Sequence, residues 1–254
     1  MEKNLSKNYK KNYNIVIETR HIIKEYRIPH EKTNTLFGQI LGRFKGKTTY
    51  ENFRALNDVS FSLHKGEMVG LIGKNGSGKT TLLKILGGII QPSSGSFTIE
   101  GTVAPLIGLG VGFHGELSAE ENLYLYGAIL GMPRKKIKEK LDEIFAFAGV
   151  ERFRNMKLKH FSSGMVARLA FSTMVQADPD ILLLDEIFSV GDKDFIPQCL
   201  TKIAEYRQRG KTILFASHDL SAIEQQCERT ILLDKGELKM FGPTKDVVQY
   251  YKTI

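Results

Sequence analysis

The segment that most constrains this chain is a glycine-rich loop at residues 73–80, set between a strand-like and a helix-like stretch. It reads Gly73-Lys74-Asn75-Gly76-Ser77-Gly78-Lys79-Thr80 and is followed by Thr81. We predict a buried strand over residues 67–72 and a helix over residues 80–87. Glycines let backbone N–H groups converge on phosphate oxygens, and the helix dipole favours the anion. The pattern matches the phosphate-binding motif G-x-x-x-x-G-K-[ST] and predicts a nucleotide site.

Two side chains at the end of this loop carry the chemistry. Lys79 would place a positive charge on the β- and γ-phosphates, and the Thr80 hydroxyl would be a ligand for Mg²⁺. A phosphate loop alone fits kinases, GTPases and many ATPases, so it does not select among these classes.

A second motif supplies two carboxylates behind a hydrophobic run. Residues 181–184 are Ile-Leu-Leu-Leu and are followed by Asp185 and Glu186. We expect Asp185 to lie beside the metal, directly or through water, and Glu186 to act as a general base or to polarise the attacking water. The alternative is an apolar strand that ends in a solvated acidic turn.

The composition allows the chain to bury a hydrophobic core, which excludes wholesale disorder. The chain has 254 residues, is 42% hydrophobic, carries a net charge of +8 and contains two cysteines. Neither cysteine has the spacing of a disulfide framework or a zinc site, so we expect a reducing cytoplasm. No run reaches the ~18–20 apolar residues of a membrane span. The positive charge is compatible with nucleic acid, with an anionic membrane face or with a solvated lysine-rich surface.

Hydrophobic patterning predicts an α/β fold with a mostly parallel sheet, because strands alternate with helices. A flexible tail is predicted over residues 1–14. Strands are predicted over 14–26, 55–63 and 212–216, a helical subdomain over about 112–178, and a late strand over 231–233 with a hairpin turn at 235–236. Residues 27–54 lie between the first two predicted strands as an insertion. Within it, residues 36–44 have the spacing of a short amphipathic helix, or they belong to a surface loop held by apolar contacts.

Further motifs follow the loop in the order found in one family. Phe161-Ser162-Ser163-Gly164-Met165 opens a helical run and resembles the LSGGQ signature of ABC ATPases, although Ser162 also suits a helix N-cap. Ser189-Val190-Gly191-Asp192 resembles the family's D-loop, and Ser217-His218-Asp219 resembles its switch-histidine segment. Tyr26 lies where the family places an aromatic ring that stacks on adenine, although a buried strand tyrosine is the competing interpretation.

The resemblance covers residues 15 to about 250 and implies a P-loop NTPase core sheet of RecA-like type with a helical subdomain and an antiparallel β region. It implies ATP and Mg²⁺ as ligands, and a homodimer that sandwiches two ATP molecules. The phosphate loop of one subunit would then face Ser162, Ser163 and Gly164 of the other. Glu186 and His218 would be catalytic, Thr80 and Asp185 would hold the metal, and Asp192 would cross the dimer interface.

Three differences from the usual ABC motifs are similar to features of the ABC subfamily that exports O-antigen polysaccharides and teichoic acids. Residues 105–118 contain no Gln where the family usually has one, the signature and D-loop are Ser-Ser-Gly-Met and Ser-Val-Gly-Asp, and residues 27–54 are inserted. The resemblance implies a lipid-linked polysaccharide substrate, a polytopic permease partner and a position on the cytoplasmic face of the inner membrane. We expect no appended carbohydrate-binding domain. Our hypothesis is that Arg43, Lys45 and Lys47 meet the acidic head group of the glycan lipid.

Other classes fit less well. A soluble, nucleic-acid-associated ABC ATPase typically has a long coiled coil or two tandem ATPase domains, and this chain has one phosphate loop and no sustained heptads. An importer or drug-efflux ATPase would retain the Gln, and a small-molecule kinase would lack residues 161–165 and His218. We therefore expect no nucleic acid partner.

Overall fold

A computed structural model describes residues 14–30, 49–108, 112–186 and 195–254. The strands are β1 Ile15–His30, β2 Thr49–His64, β3 Met68–Ile72, β4 Ser94–Ile99, β5 Val103–Leu106, β6 Ile181–Asp185, β7 Thr212–Ala216, β8 Arg229–Asp234 and β9 Glu237–Pro243. The helices are α1 Lys79–Leu86, α2 Ala119–Ile129, α3 Arg134–Ala148, α4 Ser163–Ala177, α5 Ile196–Gln208, α6 Leu220–Gln226 and α7 Thr244–Tyr251. Two 3₁₀ turns, Glu151–Phe153 and Leu158–His160, precede α4. None of the helices in these ranges combines the length and the apolar character needed to cross a bilayer.

A six-stranded sheet forms the centre of the molecule, in the order β5-β6-β7-β3-β8-β9. All neighbours pair in parallel except β8 and β9, which form an antiparallel hairpin. Strands β3 and β7 are buried along their whole length, as expected for continuous apolar runs covered on both faces. The mostly parallel sheet predicted from the sequence is confirmed. Because β3, β6 and β7 lie side by side, the loops after them meet at one edge.

A second sheet is antiparallel, with the order β2-β1-β4. Its strands β1 and β2 are longer than predicted, because the ladder continues into the predicted insertion as far as His30 opposite Thr49. The predicted end of the first strand at residue 26 and the predicted start of the second at residue 55 are therefore wrong. β4 pairs with β1 only as far as Ile23, so the far end of β1 and β2 is a two-stranded ribbon. The predicted helix over residues 36–44, with Arg43, Lys45 and Lys47, lies outside the described residues.

The helices α2, α3 and α4 form a lobe with its own apolar core, which includes Leu123, Ile144 and Leu169. Helix α2 begins with a capping box, in which Ser118 accepts from the backbone N–H of Glu121 and the Glu121 carboxylate accepts from the backbone N–H of Ser118. Helix α3 is capped at its C-terminus by Gly149, which adopts a left-handed conformation. The lobe therefore has well-defined ends and a core that is distinct from the core around the central sheet.

Candidate functional site

The phosphate loop joins the buried strand β3 to the N-terminus of α1. Gly78 precedes α1 with φ of 107°, and no side chain within the described ranges caps the helix. Its first-turn N–H groups are thus available to a ligand. Gly73 has φ of 151°, and a Cβ there would lie 2.1 Å from the carbonyl oxygen of Leu233. Both positions require glycine. Gly78 needs it for its backbone conformation, and Gly73 needs it because the backbone of the neighbouring strand β8 comes close.

Lys79 is folded back into the loop and is only 6% exposed. Its Nζ donates to the carbonyl oxygen of Gly73 at 2.7 Å and to that of Lys74 at 3.2 Å. Burial lowers the pKa of the Lys79 ammonium, and the charges of Glu186 and Asp185 act in the opposite direction. The cation is therefore held at the mouth of the loop between carbonyl oxygens and two carboxylates.

Ser77 supports the interpretation that the loop binds an anion. Its hydroxyl oxygen is buried and has no hydrogen-bond partner within the described part of the chain. A buried polar atom of this kind costs free energy unless a ligand or water satisfies it. The loop therefore contains one buried hydroxyl for which a bound ligand or a water molecule would be the partner.

Thr80 and Asp185 form a pair of oxygen ligands suited to a divalent cation. The Thr80 hydroxyl donates to Asp185 Oδ2 at 2.8 Å, although the two residues are 105 positions apart. Burial raises the pKa of the Asp185 carboxyl, and the neighbouring charge of Glu186 adds to this, whereas the hydrogen bond from Thr80 opposes it. Hard oxygen donors beside a triphosphate site fit Mg²⁺, which uses one or two protein ligands together with substrate phosphates.

Glu186 and His218 meet at the same edge of the sheet. His218 Nε2 lies 2.5 Å from Glu186 Oε1. Glu186 has φ of 52°, an uncommon left-handed conformation for a residue with a side chain, and its N–H donates to the carbonyl oxygen of Ala216. Both side chains remain more than a third exposed, so the pair is accessible to water and ligand. Strain of this kind is concentrated at functional sites.

Asp219 holds the segment that carries His218, a role that we did not assign from the sequence. It is the N-cap of α6, and its Oδ1 accepts from the N–H groups of Ser221 and Ala222 at 2.9 and 3.2 Å. The Ser217 hydroxyl accepts from the N–H of Asp219 at 3.0 Å. An aspartate immediately before a helical run is a recognised N-cap signal and could have revealed this.

Asn122 was also missed, and it holds residues 114–118, the end of the segment that lacks the family's usual Gln. It is fully buried, and its Nδ2 donates to the carbonyl oxygens of His114, Leu117 and Ser118 at 2.9–3.1 Å. Its Oδ1 accepts from the N–H of His114 at 2.6 Å. One side chain therefore satisfies four backbone groups of the segment that joins the central sheet to the helical lobe.

The other residues predicted for the site do not all lie beside the phosphate loop, Asp185, Glu186 and His218. Ser162 is the N-cap of α4, where its hydroxyl accepts from the N–H of Met165 at 3.2 Å, and Ser163 is exposed beside it. Among the described residues, no hydrogen bond links Ser162, Ser163 or Gly164 to the phosphate loop of the same chain. Tyr26 lies on β1, 38% exposed. Asp192, with the rest of the predicted D-loop, lies outside the described residues.

A phosphate loop between a buried parallel strand and a helix, with carboxylates at the end of a nearby strand, defines a P-loop NTPase. The family profile described as ABC transporter matches residues 56–189. The chain is 38% identical to an O-antigen export system ATP-binding protein of Klebsiella pneumoniae, over 93% of this chain and 97% of that protein. It is 42% identical to a teichoic acids export ATP-binding protein of Listeria innocua, over 94% of this chain and 70% of that protein. The chain belongs to the ABC transporter family.

Solved structures agree on the fold. An ATP-binding subunit of an ABC transporter superposes with a TM-score of 0.71 at 24% identity, over 93% of each chain. A dimeric ATP-binding cassette in a post-hydrolysis state with ADP and Pi superposes with a TM-score of 0.70 at 22% identity, over 90% of this chain and 98% of that one. The predicted ABC-type ATPase fold is confirmed.

Replacing Asp185 with asparagine is expected to stabilise the ligand-free protein at pH 8 by about 1 kcal/mol, or about 2–4 °C in Tm. Because the folded-state pKa of Asp185 is raised, its charged form costs stability above that pKa and costs nothing below the ordinary value near 4. The advantage of the variant should therefore disappear as the pH falls towards 4. Thermal unfolding without nucleotide, at pH 8 and near pH 4, measures it.

Asp180 is the matched control with the opposite sign. Hydrogen bonds from the backbone N–H and the hydroxyl of Thr102 lower the pKa of Asp180 to about 2, so its charged form stabilises the fold above the ordinary aspartate pKa. Asp180→Asn should lower Tm at pH 8. If Asp185→Asn lowered it as well, desolvation of the Asp185 carboxylate would not be the dominant effect.

Proposed function

We propose that this chain is the ATPase subunit of an exporter that moves a lipid-linked cell-surface polysaccharide, an O-antigen or a teichoic acid, across the cytoplasmic membrane. The observation that carries the substrate class is the 38–42% identity, over more than nine-tenths of the chain, to O-antigen and teichoic acid export proteins. The absence of a Gln from residues 105–118 is consistent with the same subfamily.

The nucleotide would bind with its phosphates in residues 73–80. Backbone N–H groups at the start of α1 and the Lys79 ammonium would hold the β- and γ-phosphates, and the buried Ser77 hydroxyl would gain a partner. Among the residues that the structure describes, the hydrogen bonds of the Lys79 ammonium are to two main-chain carbonyl oxygens, which it can exchange for phosphate oxygens.

Hydrolysis would depend on Glu186 and His218. The Glu186 carboxylate would accept a proton from the attacking water as its oxygen bonds to the γ-phosphorus, while the bond from that phosphorus to the ADP oxygen breaks. His218 would orient Glu186 by donating its Nε2–H to Oε1, and the doubly protonated ring would have its second N–H for the γ-phosphate. A Mg²⁺ ion held by Thr80 and Asp185 would supply charge neutralisation at the phosphates when bound.

Assembly as a homodimer would complete the site. Ser162, Ser163 and Gly164 lie at the N-terminus of the 15-residue helix α4, which favours an anion. Their contacts in the described ranges leave them unconnected to the phosphate loop of their own chain, so we assign them to the γ-phosphate bound by a partner subunit. ATP would thereby favour the closed dimer, and hydrolysis would release it.

A polytopic permease would carry the substrate path, and the dimer would dock on its cytoplasmic side. The loop held by Asn122 joins the central sheet to the helical lobe, in the place where the family's Gln would contact both metal and permease. Because the bonds from Asn122 fix residues 114–118 to α2, this end of the loop would move with the helical lobe.

Deleting the gene in its host is expected to leave the glycan made but confined to the cytoplasmic side. Labelling of glycan on intact cells, compared with lysed cells, measures the exported fraction. Wild-type protein should restore the surface signal, and Glu186→Gln should not. Glu143→Gln, which alters an exposed carboxylate on α3, is the matched control and should restore it.

Phosphate analysis of the exported polymer separates the two substrate classes, because teichoic acids carry phosphate in every repeating unit. A normal amount of surface glycan in the deletion strain would contradict the proposed substrate class. It would not contradict ATP hydrolysis by this chain.

A further inference from the structure

We infer that Phe53 on β2 is a second base-contacting residue, which together with Tyr26 forms a two-ring surface for the base of the bound nucleotide. This inference rests on the proposed nucleotide site at residues 73–80. It assigns to the ribbon of β1 and β2 a role in holding the base, beyond the single tyrosine expected from the sequence.

Phe53 and Tyr26 are direct partners in the antiparallel ladder of β1 and β2. Residues directly opposite each other in such a pair project on the same face of the sheet, with Cβ atoms about 4.5–5.5 Å apart. Both rings are open to solvent, Tyr26 at 38% and Phe53 at 47% exposure. The pair therefore forms one exposed aromatic surface rather than part of the core.

The face that carries this pair is the one directed at the phosphate loop. Leu56 lies against Gly78, because a Cβ on Gly78 would come within 2.7 Å of the Leu56 Cδ2 atom. The ladder pairs Leu56 with Lys24 and then Arg54 with Glu25, which leaves Ala55 as a bulged residue.

The bulge determines which side chains share a face. A bulge of one residue makes two residues on one strand oppose one on the other, so it shifts the alternation by one position. Phe53, three residues before Leu56, therefore returns to the face of Leu56. Without the bulge, Phe53 would point to the opposite face.

An independent contact on β1 agrees with this assignment. The Nζ of Lys24 lies 5.3 Å from the centroid of the Tyr26 ring, as expected for side chains two residues apart on one face of a strand. Lys24 is the partner of Leu56, so Lys24, Tyr26, Leu56 and Phe53 all face the same way. The two rings thus continue the surface that ends at Gly78.

A planar heteroaromatic base is the ligand that suits two rings beside a triphosphate loop. Base–aromatic stacking requires only a π face, so it is tolerant of base identity. We therefore expect Phe53 to strengthen the binding of ATP and of GTP alike, without a contribution to the binding of the phosphates themselves.

The test compares nucleotides with inorganic tripolyphosphate, which has the phosphates but no base. Calorimetric titration of Phe53→Ala should show roughly tenfold weaker binding of ATP and of GTP. The affinity for tripolyphosphate should be unchanged. Phe53→Tyr should retain the wild-type affinity for ATP, because the ring is kept. Phe53→Leu, which keeps apolar bulk without a ring, should resemble Phe53→Ala and serves if the alanine variant fails to fold.

Tyr50→Ala is the matched control from the same ribbon. Tyr50 is opposite Pro29, is 51% exposed and lies beneath the Arg27 guanidinium at 3.9 Å, on the other face of the ribbon from Phe53. Its replacement should leave the affinities for ATP and tripolyphosphate unchanged.

The outcomes separate this inference from the proposed site. If Phe53→Ala and Phe53→Leu bind ATP as the wild type does, Phe53 does not contact the base, and the phosphate site stands. If both variants lose ATP and tripolyphosphate equally, or if Tyr50→Ala weakens ATP binding to the same degree, the ribbon acts structurally and the inference is overturned. If the wild-type protein binds neither ligand, the nucleotide site itself is refuted.

Discussion

Replacing Glu186 with glutamine is expected to slow ATP hydrolysis by about 10²–10⁴-fold, the range for loss of a general base. Glutamine keeps the size and one oxygen of the side chain but cannot accept the proton of the attacking water. The contact with His218 Nε2 uses an oxygen, so the amide can preserve it. Nucleotide affinity should therefore remain close to that of the wild type. Single-turnover hydrolysis, measured beside equilibrium binding of ATP, separates the two effects.

The same variant should accumulate as a dimer in the presence of ATP and Mg²⁺, because the closed state is no longer released by hydrolysis. Analytical ultracentrifugation with and without ATP measures this. Glu143→Gln again provides the control, since Glu143 pairs with Lys140 on the exposed side of α3. Turnover by Glu186→Gln at the wild-type rate would refute the catalytic assignment of Glu186.

Replacing Lys79 with alanine is expected to weaken ATP binding by about 10- to 150-fold, the equivalent of losing a hydrogen bond of about 1.5–3 kcal/mol to a charged group. Lys79 is the buried cation of the loop, and its ammonium is held at its mouth by the carbonyl oxygens of Gly73 and Lys74. Its loss removes the positive charge that faces the phosphates and the hydrogen bonds that connect the side chain to the loop backbone. Competition with a fluorescent ATP analogue measures the change in Kd.

Two further variants separate charge from packing at this position. Lys79→Met keeps the apolar stem without the ammonium, so it should weaken binding about as much as alanine if the charge dominates. Lys84→Ala removes a lysine from the last turn of the same helix and should leave the Kd for ATP unchanged. Equal Kd values for wild type and both Lys79 variants would contradict phosphate binding by Lys79.

Much of the candidate site could be predicted because its signals are local. The glycines, Lys79 and Thr80 lie within one short stretch, and the strand that ends at Asp185 is a continuous apolar run, so pattern and chemistry coincide. The strand over residues 212–216 and the hairpin at 235–236 were predicted for the same reason, and both are present. Asp219 and Asn122 were missed because their importance depends on which backbone groups lie nearby in the fold.

The ends of β1 and β2 could not be placed from the sequence. Residues near Pro29 and Tyr50 lack a strong strand signal, and they are extended because each strand supplies the other's hydrogen-bond partners. Cross-strand pairing thus overrides local propensity, and the predicted insertion begins later and ends earlier than expected.

By itself, the sequence determined the class of this protein, because a phosphate loop requires particular residues at consecutive positions and a buried parallel strand requires an unbroken apolar run. The tertiary structure alone decided which distant groups meet. Thr80 reaches Asp185 across 105 positions, and His218 reaches Glu186, because β3, β6 and β7 are neighbours in the sheet. A single bulged residue, Ala55, brings Phe53 to the face of the ribbon that also carries Leu56. Strand order, register and bulges are set by packing between segments far apart in the chain, so no local pattern encodes them.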